Sequence, residues 1–377
     1  MVNVPKIAVF LPSLEGGGAE RVFAELCGEF AALGHPVDLV LAAARGPYLA
    51  GVSARVRIVD LGAGGVLTAL PKLVRYLRSE RPCVMLSGLD HANIIAILAC
   101  AVARGQTRCV ISMRSVPTVV RELDRSWRGW IILQLAKAMY RFADGIVGNS
   151  TAVVNDLARF RRIAARKIVV IYNPLDIERI VQASQASPDH PWLAEGAPPV
   201  ILGVGSLAVL KDFPTLIRAF ALARARRICR LVVLGEGPDR AALESLVREL
   251  GLDDDVLLPG FAANPFTWMK RARVFVSSSL TEGCPNALMQ ALACGTPVVS
   301  TACPGGSAEI LEGGKWGRLV PVRSVSTMSE AIIASIEAPI PLNLRERAAD
   351  FALATIAREY LQILLPGRIS TAAERPS

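Results

Sequence analysis

Residues 274–301 read VFVSSSLTEGCPNALMQALACGTPVVST. An unbroken apolar run opens this stretch, a polar turn follows, and a second apolar run, PVVST, closes it. Pro285 is typical of the first turn of a helix, so a helix is predicted to begin near it. Apolar strands joined by a helix lie parallel in a sheet that is covered on both faces. The stretch therefore predicts a β–α–β unit of an α/β domain.

Short β-branched runs alternate with helical patterns along the rest of the chain. The predicted strands of the first half are KIAVFLP, VDLVLAA, CVMLS, CVISM, GIVGNS and KIVVIYN. Those of the second half are PVILGVGS, RLVVLGEG, DVLLPG, VFVSSS and PVVST. Two such series predict an α/β fold of two doubly wound, Rossmann-like domains that face a central cleft, with ligands bound outside the carboxyl ends of the strands.

Composition shifts suggest where these domains begin and end. Residues 1–175 form the predicted first domain, and 176–198, rich in Pro, Ser and Ala, are predicted to be a linker. The second domain is predicted to span 199–342. The amphipathic segment at about 343–365 predicts a helix that packs back on the first domain, and 366–377 are expected to form a flexible tail.

Bulk composition excludes several classes of protein. The 377 residues are 52% hydrophobic and 20% charged, and no apolar run has the length of a membrane span. The eight cysteines show no CxxC pair and the three histidines are scattered, so neither a disulfide framework nor a metal site is expected. Because the N-terminus shows no signal-peptide cleavage pattern, we expect a cytoplasmic protein.

The net charge of +9 is concentrated in one region. Residues 104–179 hold 14 Lys or Arg against 6 Asp or Glu. A solvated basic face is one interpretation, and attraction to anionic lipid headgroups or an acidic substrate is the other. Aromatic residues among the basic ones favour a membrane surface; they are Trp127, Trp130 and Tyr140, beside Arg125, Arg128, Lys137 and Arg141. No nucleic-acid reader motif accompanies the charge, so no nucleic acid partner is expected.

A glycine cluster follows the first predicted strand. Gly16, Gly17 and Gly18 precede a helix predicted to begin near Ala19. Glycines let a ligand approach the backbone, and a helix N-terminus favours a phosphate. A plain β–α turn is the alternative. The spacing matches neither GxGxxG nor the phosphate-binding loop with its lysine, so it supports neither a dinucleotide nor an ATP site.

Three further turns in the second half carry candidate residues. Lys211 follows the strand that ends at Gly205 and can reach a phosphate, although a surface lysine is the alternative. Gly235 and Gly237 form a predicted turn. One interpretation is that this turn holds a nucleotide base, and the alternative is a turn without a binding role. Glu282 precedes the helix predicted at Pro285 and is a hydroxyl-binding carboxylate, a cap or a surface charge. The first amides of that helix, at Asn286, Ala287 and Leu288, favour an anion.

Taken in order, these segments resemble glycosyltransferase family 4, whose members have the two-domain GT-B fold. The resemblance covers almost the whole chain through GGGAERV, YRFADGIVGNSTAVVNDL, IYNPLD, LKDFPTLIRAFA, VVLGEGPDRAALE, VLLPGF, EGCPNALMQALACGTPVVST and PGGSAEIL. It implies transfer of a sugar from a nucleotide diphosphate donor to an acceptor hydroxyl, with retention at the anomeric carbon and without a metal or other cofactor.

The resemblance also implies roles for individual residues. Glu282 corresponds to the first acid of an E-x7-E motif, which hydrogen-bonds the donor sugar, and Lys211 to the lysine that neutralises its pyrophosphate. His91 and Arg114 correspond to the acceptor side, His91 near the reacting centre; a buried or capping histidine is the alternative for His91. The implied donor-binding set is Gly17, Gly18, Gly205, Ser206, Lys211, Gly235, Glu236, Glu282, Gly283, Asn286, Ala287, Leu288 and Gln290.

The chain departs from the family pattern at two of these positions. Ser206 replaces an arginine that clamps the pyrophosphate together with Lys211, so one cationic partner of the leaving group is missing. Gln290 replaces the second acid of the motif; its amide can still bind ribose hydroxyls, through weaker hydrogen bonds.

These observations predict a retaining glycosyltransferase that moves a hexose-type sugar to a membrane-associated acceptor, such as a lipid-linked glycan of envelope polysaccharide synthesis. Peripheral binding to the inner face of the cell membrane is expected with it. The alternative is a non-catalytic GT-B partner that only binds a nucleotide sugar, as Ser206 and Gln290 suggest. A nicotinamide-dependent dehydrogenase ranks third, because the glycine fingerprint and the acidic ribose residue are not in place.

Overall fold

A computed structural model describes residues 4–15, 18–123, 126–159, 163–186 and 190–367. The chain divides into two compact units. The first unit comprises residues 1–174 and 353–377, and the second comprises 175–352.

Each unit is built on a parallel sheet. Within the described residues the first unit has a seven-stranded sheet of order β3-β2-β1-β4-β5-β6-β7, and the second a six-stranded sheet of order β10-β9-β8-β11-β12-β13. The strands are β1 (Ile7–Leu11), β2 (Val37–Leu41), β3 (Arg57–Asp60), β4 (Val84–Gly88), β5 (Arg108–Met113), β6 (Gly145–Gly148), β7 (Ile168–Val170), β8 (Val200–Val204), β9 (Arg230–Leu234), β10 (Val256–Gly260), β11 (Val274–Ser277), β12 (Val298–Thr301) and β13 (Arg318–Val320).

Helices connect successive strands. They are α1 (Gly18–Ala32), α2 (Leu70–Glu80), α3 (Asp90–Ala103), α4 (Pro117–Leu123), α5 (Trp127–Met139), α6 (Thr151–Ala158), α7 (Ile177–Ser184), α8 (Phe213–Arg224), α9 (Arg240–Glu249), α10 (Phe266–Arg271), α11 (Asn286–Cys294), α12 (Ser307–Ile310), α13 (Val325–Glu337), α14 (Leu344–Ala349) and α15 (Leu353–Leu364). The predicted α/β class with two doubly wound domains is confirmed.

Both faces of the first sheet are covered by apolar side chains. Along β1, Ala8 and Phe10 join the core beneath α2 and α3, whereas Ile7, Val9 and Leu11 join the core beneath α1 and α15. This alternation follows from the two-residue period of a strand. It explains why β1 is apolar at every position.

Two strands, β3 and β13, were not among the predicted ones. Both lie at an edge of their sheet, and most of their side chains are exposed or half-buried. Because an edge strand contacts one neighbour and little core, its sequence, RIVD or RLV, lacks a long apolar run.

The domain boundaries differ from the predicted ones in two places. The predicted linker 176–198 contains α7, which packs against α10 and α11 of the second unit. The predicted single helix at 343–365 is two helices: α14 packs against α11 in the second unit, and α15 packs against α1 in the first. The predicted tail lies outside the described residues after position 367.

Candidate active site

Two loops of the second unit lie side by side at the carboxyl edge of its sheet. One follows β8 and carries Lys211; the other follows the neighbouring strand β11 and carries Glu282. Ser278 Oγ donates to the Lys211 carbonyl at 2.7 Å, and the Leu280 amide donates to the Leu210 carbonyl at 2.8 Å. These bonds tie the two loops together, so the positions of Lys211 and Glu282 depend on each other.

The side chains of Lys211 and Glu282 form an ion pair between Nζ and Oε1. Ser279 Oγ donates to the same carboxylate oxygen at 2.7 Å. The side chains are 26% and 14% exposed, so the pair is half-buried but can be reached by a ligand. Gly205 lies under the stem of Lys211: a Cβ there would be 3.1 Å from Lys211 Cε. A glycine at this position lets the lysine stem run along the backbone toward Glu282.

The loop after β12 fixes the backbone of Glu282. The Glu282 amide donates to the Pro304 carbonyl at 3.2 Å, and the Gly306 amide donates to the Glu282 carbonyl at 3.1 Å. Gly305 has φ +132° and packs so closely that a Cβ would overlap the Glu282 carbonyl. Only glycine suits this combination of conformation and contact. Glu282 is therefore held from both sides at the start of α11.

Helix α11 presents its first turn next to Glu282. It begins at Asn286, one residue after Pro285, and its first-turn amides have no carbonyl acceptor within the helix. Asn286 and Gln290 are four residues apart and share a face that is only partly buried. Leu288 and Met289 point into the core instead. The amide ends of the helix and the carboxylate of Glu282 thus border the same half-buried surface.

The turn after β9 adds two of the predicted donor-binding residues. The Gly235 amide donates to the Gly260 carbonyl at 2.8 Å, and the Glu236 carbonyl accepts from the Leu207 amide at 2.9 Å. The Glu236 carboxylate binds the Arg240 guanidinium through two bonds of 2.7 and 2.8 Å. These bonds from Arg240 lower the pKa of Glu236. Ser206, where the family pattern has arginine, is exposed.

The first unit places His91 at the carboxyl edge of its own sheet. His91 is exposed in the first turn of α3, directly after β4. This exposure argues against the alternative of a buried histidine. Partial desolvation by the surrounding chain lowers the pKa of His91. The lowered pKa favours the neutral ring, which can accept a hydrogen bond.

Sequence patterns did not single out the two residues before His91. Leu89 has φ +77°, a conformation that is strained for a branched side chain, at the start of α3. Asp90 follows it, and burial raises the pKa of Asp90 to about 6, with the neighbouring Tyr140 hydroxyl opposing the rise. Strained backbone and a shifted carboxyl group at one turn are typical of functional sites. In the sequence, the only sign of this turn is that the acidic residue Asp90 begins a helix that is otherwise largely apolar.

Arg114 lies one residue after β5 in a polar cluster of the first unit. Its Nη1 donates to Asn173 Oδ1 at 2.6 Å, and its guanidinium lies 4.5 Å from the centroid of the Phe23 ring. Asn149 Nδ2 donates to the Arg114 carbonyl at 3.4 Å. Arg114 Nε and Nη2 are buried without a hydrogen-bond partner among the described residues. These contacts hold Arg114, the acceptor-side candidate, in place within the first unit.

The glycine turn is described only in part. Gly18 is exposed and begins α1, one residue before the predicted start. Gly16 and Gly17 lie outside the described residues, so the predicted contact of Gly17 with a diphosphate stays a prediction.

Helix α5 exposes an apolar stripe flanked by basic residues. Trp127, Trp130 and Leu135 are 68%, 52% and 45% exposed, and their spacing places them on one side of the helix. Arg128 and Lys137 lie on either side of that stripe.

Other residues of the predicted basic surface lie elsewhere. Tyr140 is fully buried, so the expectation that it is a surface aromatic is wrong. Phe142 is 55% exposed instead, with the Arg141 guanidinium 4.6 Å from its ring centroid. Arg125 lies outside the described residues.

The eight cysteines are free, and six of them are buried. Within the described ranges, no three His, Cys, Asp or Glu side chains are grouped as a metal site would require. No helix in the part of the chain that the structure describes has both the length and the apolarity to cross a bilayer.

Comparison with known proteins gives the family. Residues 16–179 match the model for "Glycosyltransferase Family 4", and 198–338 match that for "Glycosyl transferases group 1". The chain is 30% identical over 376 residues to the Campylobacter jejuni N-acetylgalactosamine-N,N'-diacetylbacillosaminyl-diphospho-undecaprenol 4-alpha-N-acetylgalactosaminyltransferase, covering 96% of this chain and 99% of that relative. The chain belongs to the family 4 glycosyltransferases. The predicted family and the prediction of an enzyme that transfers a sugar are confirmed.

Solved structures confirm the GT-B fold of this glycosyltransferase. Anabaena HepE, crystallised in complex with UDP-glucose, superposes with a TM-score of 0.79 at 22% identity, over 96% of this chain and 99% of that one. A sucrose-phosphate synthase from Thermosynechococcus elongatus gives a TM-score of 0.80 at 22% identity, over 95% and 98%.

Proposed function

We propose that this glycosyltransferase moves a hexose-type sugar, with retention, from a nucleotide diphosphate sugar to a hydroxyl of a lipid-linked glycan. The main support for this proposal is the ion pair of Lys211 and Glu282 beside the first turn of α11. A cation and helix amides suit a diphosphate, and a carboxylate suits sugar hydroxyls. The complex of HepE with UDP-glucose supports a donor of this chemical class.

In the proposed reaction, the donor enters between the two charged groups. Lys211 turns from Glu282 to the diphosphate, and Glu282 accepts hydrogen bonds from the sugar hydroxyls. The bond between the anomeric carbon and the diphosphate oxygen breaks, and the acceptor oxygen bonds to the same carbon. The acceptor proton goes to the departing diphosphate. Positive groups already in place stabilise the charge that develops there.

No metal takes part in the proposed reaction, because Lys211 and the α11 amides supply the positive potential. Turnover should then survive dialysis against EDTA. A loss of more than about tenfold that Mg²⁺ or Mn²⁺ restores would contradict this part of the proposal.

The donor is tested with a panel of nucleotide sugars. Purified protein is assayed for slow hydrolysis of each donor, and the anomeric configuration of a transfer product is read by NMR. Glu282→Gln should lower kcat/KM about 10²- to 10³-fold, because the carboxylate that orients the sugar is lost. Glu312→Gln, which changes an exposed acid of the same unit, is the control. Binding of a nucleotide sugar without turnover would support the non-catalytic alternative.

The acceptor part of the proposal depends on α5. Its exposed tryptophans and flanking basic side chains suit the surface from which a lipid-linked glycan is presented. The Campylobacter relative acts, by its name, on a diphospho-undecaprenol substrate, which supports this class of acceptor. Peripheral attachment to the membrane follows from the same surface.

Sedimentation with anionic phosphatidylglycerol vesicles at low salt tests this attachment. The double variant Trp127→Ala/Trp130→Ala should sediment at least about tenfold less, because two interfacial aromatic anchors are removed. Phe261→Ala removes an aromatic side chain that is 73% exposed in the second unit and should leave sedimentation unchanged. If the wild-type protein does not sediment with the vesicles, the proposed membrane attachment is wrong, but the proposed sugar transfer is not affected.

A further inference from the structure

A pocket of about 850 Å³ opens at the amino edge of the first sheet. Its lining includes Arg78, Arg81, Arg104 and Arg108, which together we name the arginine pocket. Arg108 begins β5, and Cys83, which precedes β4, also lines the pocket. The candidate residues His91 and Arg114 follow the opposite, carboxyl ends of β4 and β5. Within the first unit, the arginine pocket is therefore separate from His91 and Arg114.

In the part of the chain that the structure describes, no acid compensates the four arginines. None of the described residues that line the pocket is acidic, and none of the four makes an ion pair with a described residue. The nearby Glu80 binds Lys6 and Arg57 instead. Some arginines elsewhere in the chain are paired, for example Arg240 with Glu236 and Glu244. Arg78, Arg81 and Arg104 are exposed and Arg108 is half-buried. Their like charges repel one another, and a bound anion would relieve that repulsion.

Helix capping accounts for only part of this charge. Arg78 Nη2 donates to the Val102 carbonyl at 3.0 Å, Arg81 Nε to the Arg78 carbonyl at 3.3 Å, and Arg108 Nη2 to the Ile363 carbonyl at 3.5 Å. These acceptors lie at the ends of α3, α2 and α15. Each helix end carries about half a negative charge, so the three together offset less than half of the four positive charges.

Two observations point beyond capping. Arg108 Nε is buried without a hydrogen-bond partner among the described residues. Arg81 and Arg104 terminate α2 and α3 in the left-handed conformation, with φ 45° and 53°, where glycine is the common residue. Arg81 and Arg104 thus occupy two positions of strained backbone, and both line the same cavity.

We propose that the arginine pocket binds a phosphate or diphosphate group. Guanidinium groups match phosphate oxygens in pairs, and the volume of the pocket is typical of a small-molecule site. Buried Leu364 and Leu365 in the lining offer an apolar contact to whatever the phosphate is attached to. The group comes from a free phosphate ester or from an anionic lipid headgroup, and both present the same chemistry to the arginines.

The free thiol of Cys83 reports on the pocket directly. Full-length protein is alkylated with iodoacetamide, with and without inorganic pyrophosphate, and Cys83 is followed by peptide mass spectrometry. Protection follows 1 + [L]/Kd, so pyrophosphate at ten times its Kd should slow alkylation about tenfold. Cys100, which is also half-buried but does not line the pocket, is the internal reference.

The double variant Arg81→Gly/Arg104→Gly removes two charges and relieves two strained positions. It should keep or raise the Tm and should lose the protection of Cys83. Arg323→Gly is the matched control, because Arg323 also has positive φ, 61°, but lies in the second unit. In the Arg323→Gly variant, pyrophosphate should protect Cys83 from alkylation as well as it does in the wild type.

Vesicles of phosphatidylglycerol form the second arm. Protection by pyrophosphate indicates a soluble phosphate ester, and protection by vesicles alone indicates a lipid headgroup; either supports the proposal. If neither slows alkylation of Cys83, or if the double variant is protected like the wild type, the arginines only cap helices and the proposal is wrong. Cys83 belongs to the first unit, whereas Lys211 and Glu282 belong to the second, so alkylation of Cys83 is a readout distinct from turnover of the donor.

Discussion

Lys211 and Glu282 are 71 positions apart in the chain, yet their side chains form a half-buried ion pair. Two adjacent parallel strands, β8 and β11, end beside each other, and the loops that follow them are hydrogen-bonded together. The pair therefore depends on the strand order of the second sheet. Loss of either side chain therefore leaves the other half-buried without its ionic partner.

Lys211→Met should lower both stability and activity. An unpaired, half-buried Glu282 costs about 1–2 kcal/mol of unfolding free energy, and loss of the diphosphate partner lowers kcat about 10²- to 10³-fold. The double variant Lys211→Met/Glu282→Gln should regain most of the stability and none of the activity. Urea unfolding and donor hydrolysis measure the two effects. Lys315→Met breaks an exposed pair with Glu312 and should cost under about 0.5 kcal/mol.

Ser206→Arg should tighten binding of a nucleoside diphosphate. Ser206 is exposed on the loop that leads to Lys211, where an added guanidinium can fork two phosphate oxygens. We expect a gain of about 1 kcal/mol, roughly fivefold in Kd, by calorimetry with UDP and GDP. Ser206→Lys should gain less, because an ammonium cannot bind two oxygens in parallel. An unchanged Kd in both variants would place the diphosphate away from this loop.

Asp90 should make stability fall as pH rises. Burial raises its folded pKa from 3.8 to about 6, so the folded state holds the proton more tightly than the unfolded state. Well below pH 4 both states are protonated and no penalty exists. As the pH rises through 6 the folded state ionises as well, and well above pH 6 the full penalty, about 3 kcal/mol at most, applies.

Asp90→Asn removes that penalty because an amide is neutral at every pH. Its Tm should exceed that of the wild type at pH 7.5 and approach it at pH 4.5. Asp253→Asn changes an exposed acid and should give the wild-type difference between the two pH values. An equal Tm gain at both pH values would show that Asp90 is not buried as a charged group.

Gly305→Ala should displace Glu282. The new Cβ would overlap the Glu282 carbonyl, and φ +132° is strained for alanine, so we expect a loss of at least about 3 kcal/mol and a large fall in kcat. Gly313→Ala is the control: its φ is +66° but no atom lies within 4 Å of the new Cβ. It should cost about 1 kcal/mol and leave kcat unchanged. Equal effects in both variants would show that backbone strain, not the contact, matters.

Apolar runs in the sequence predicted most of the fold because each central strand is buried on both faces. The residues of β1, β2 and β4 are all buried, and their runs were predicted as strands. The edge strands β3 and β13 were missed for the complementary reason. Helix α7 was missed because its segment was read from its Pro and Ser content rather than from its short apolar face.

Motif resemblance named Lys211, Glu282 and His91, but it did not name the groups that hold them. Ser279 binds the Glu282 carboxylate and was only one of three serines in a row. Tyr140 looked like a surface aromatic beside basic residues, whereas the fold buries it next to Asp90.

The order of apolar and polar residues along the chain was sufficient for the α/β class and the two sheets, because each buried strand carries its own apolar run and each helix its own period. The family followed from the resemblance of the motifs. Strand order, the pairing of Lys211 with Glu282, the shifted pKa of Asp90 and the gathering of four arginines in one pocket required the tertiary structure. Each of these arises from contacts between segments that are distant in the chain. Such contacts depend on which strands become neighbours, and no local pattern specifies that.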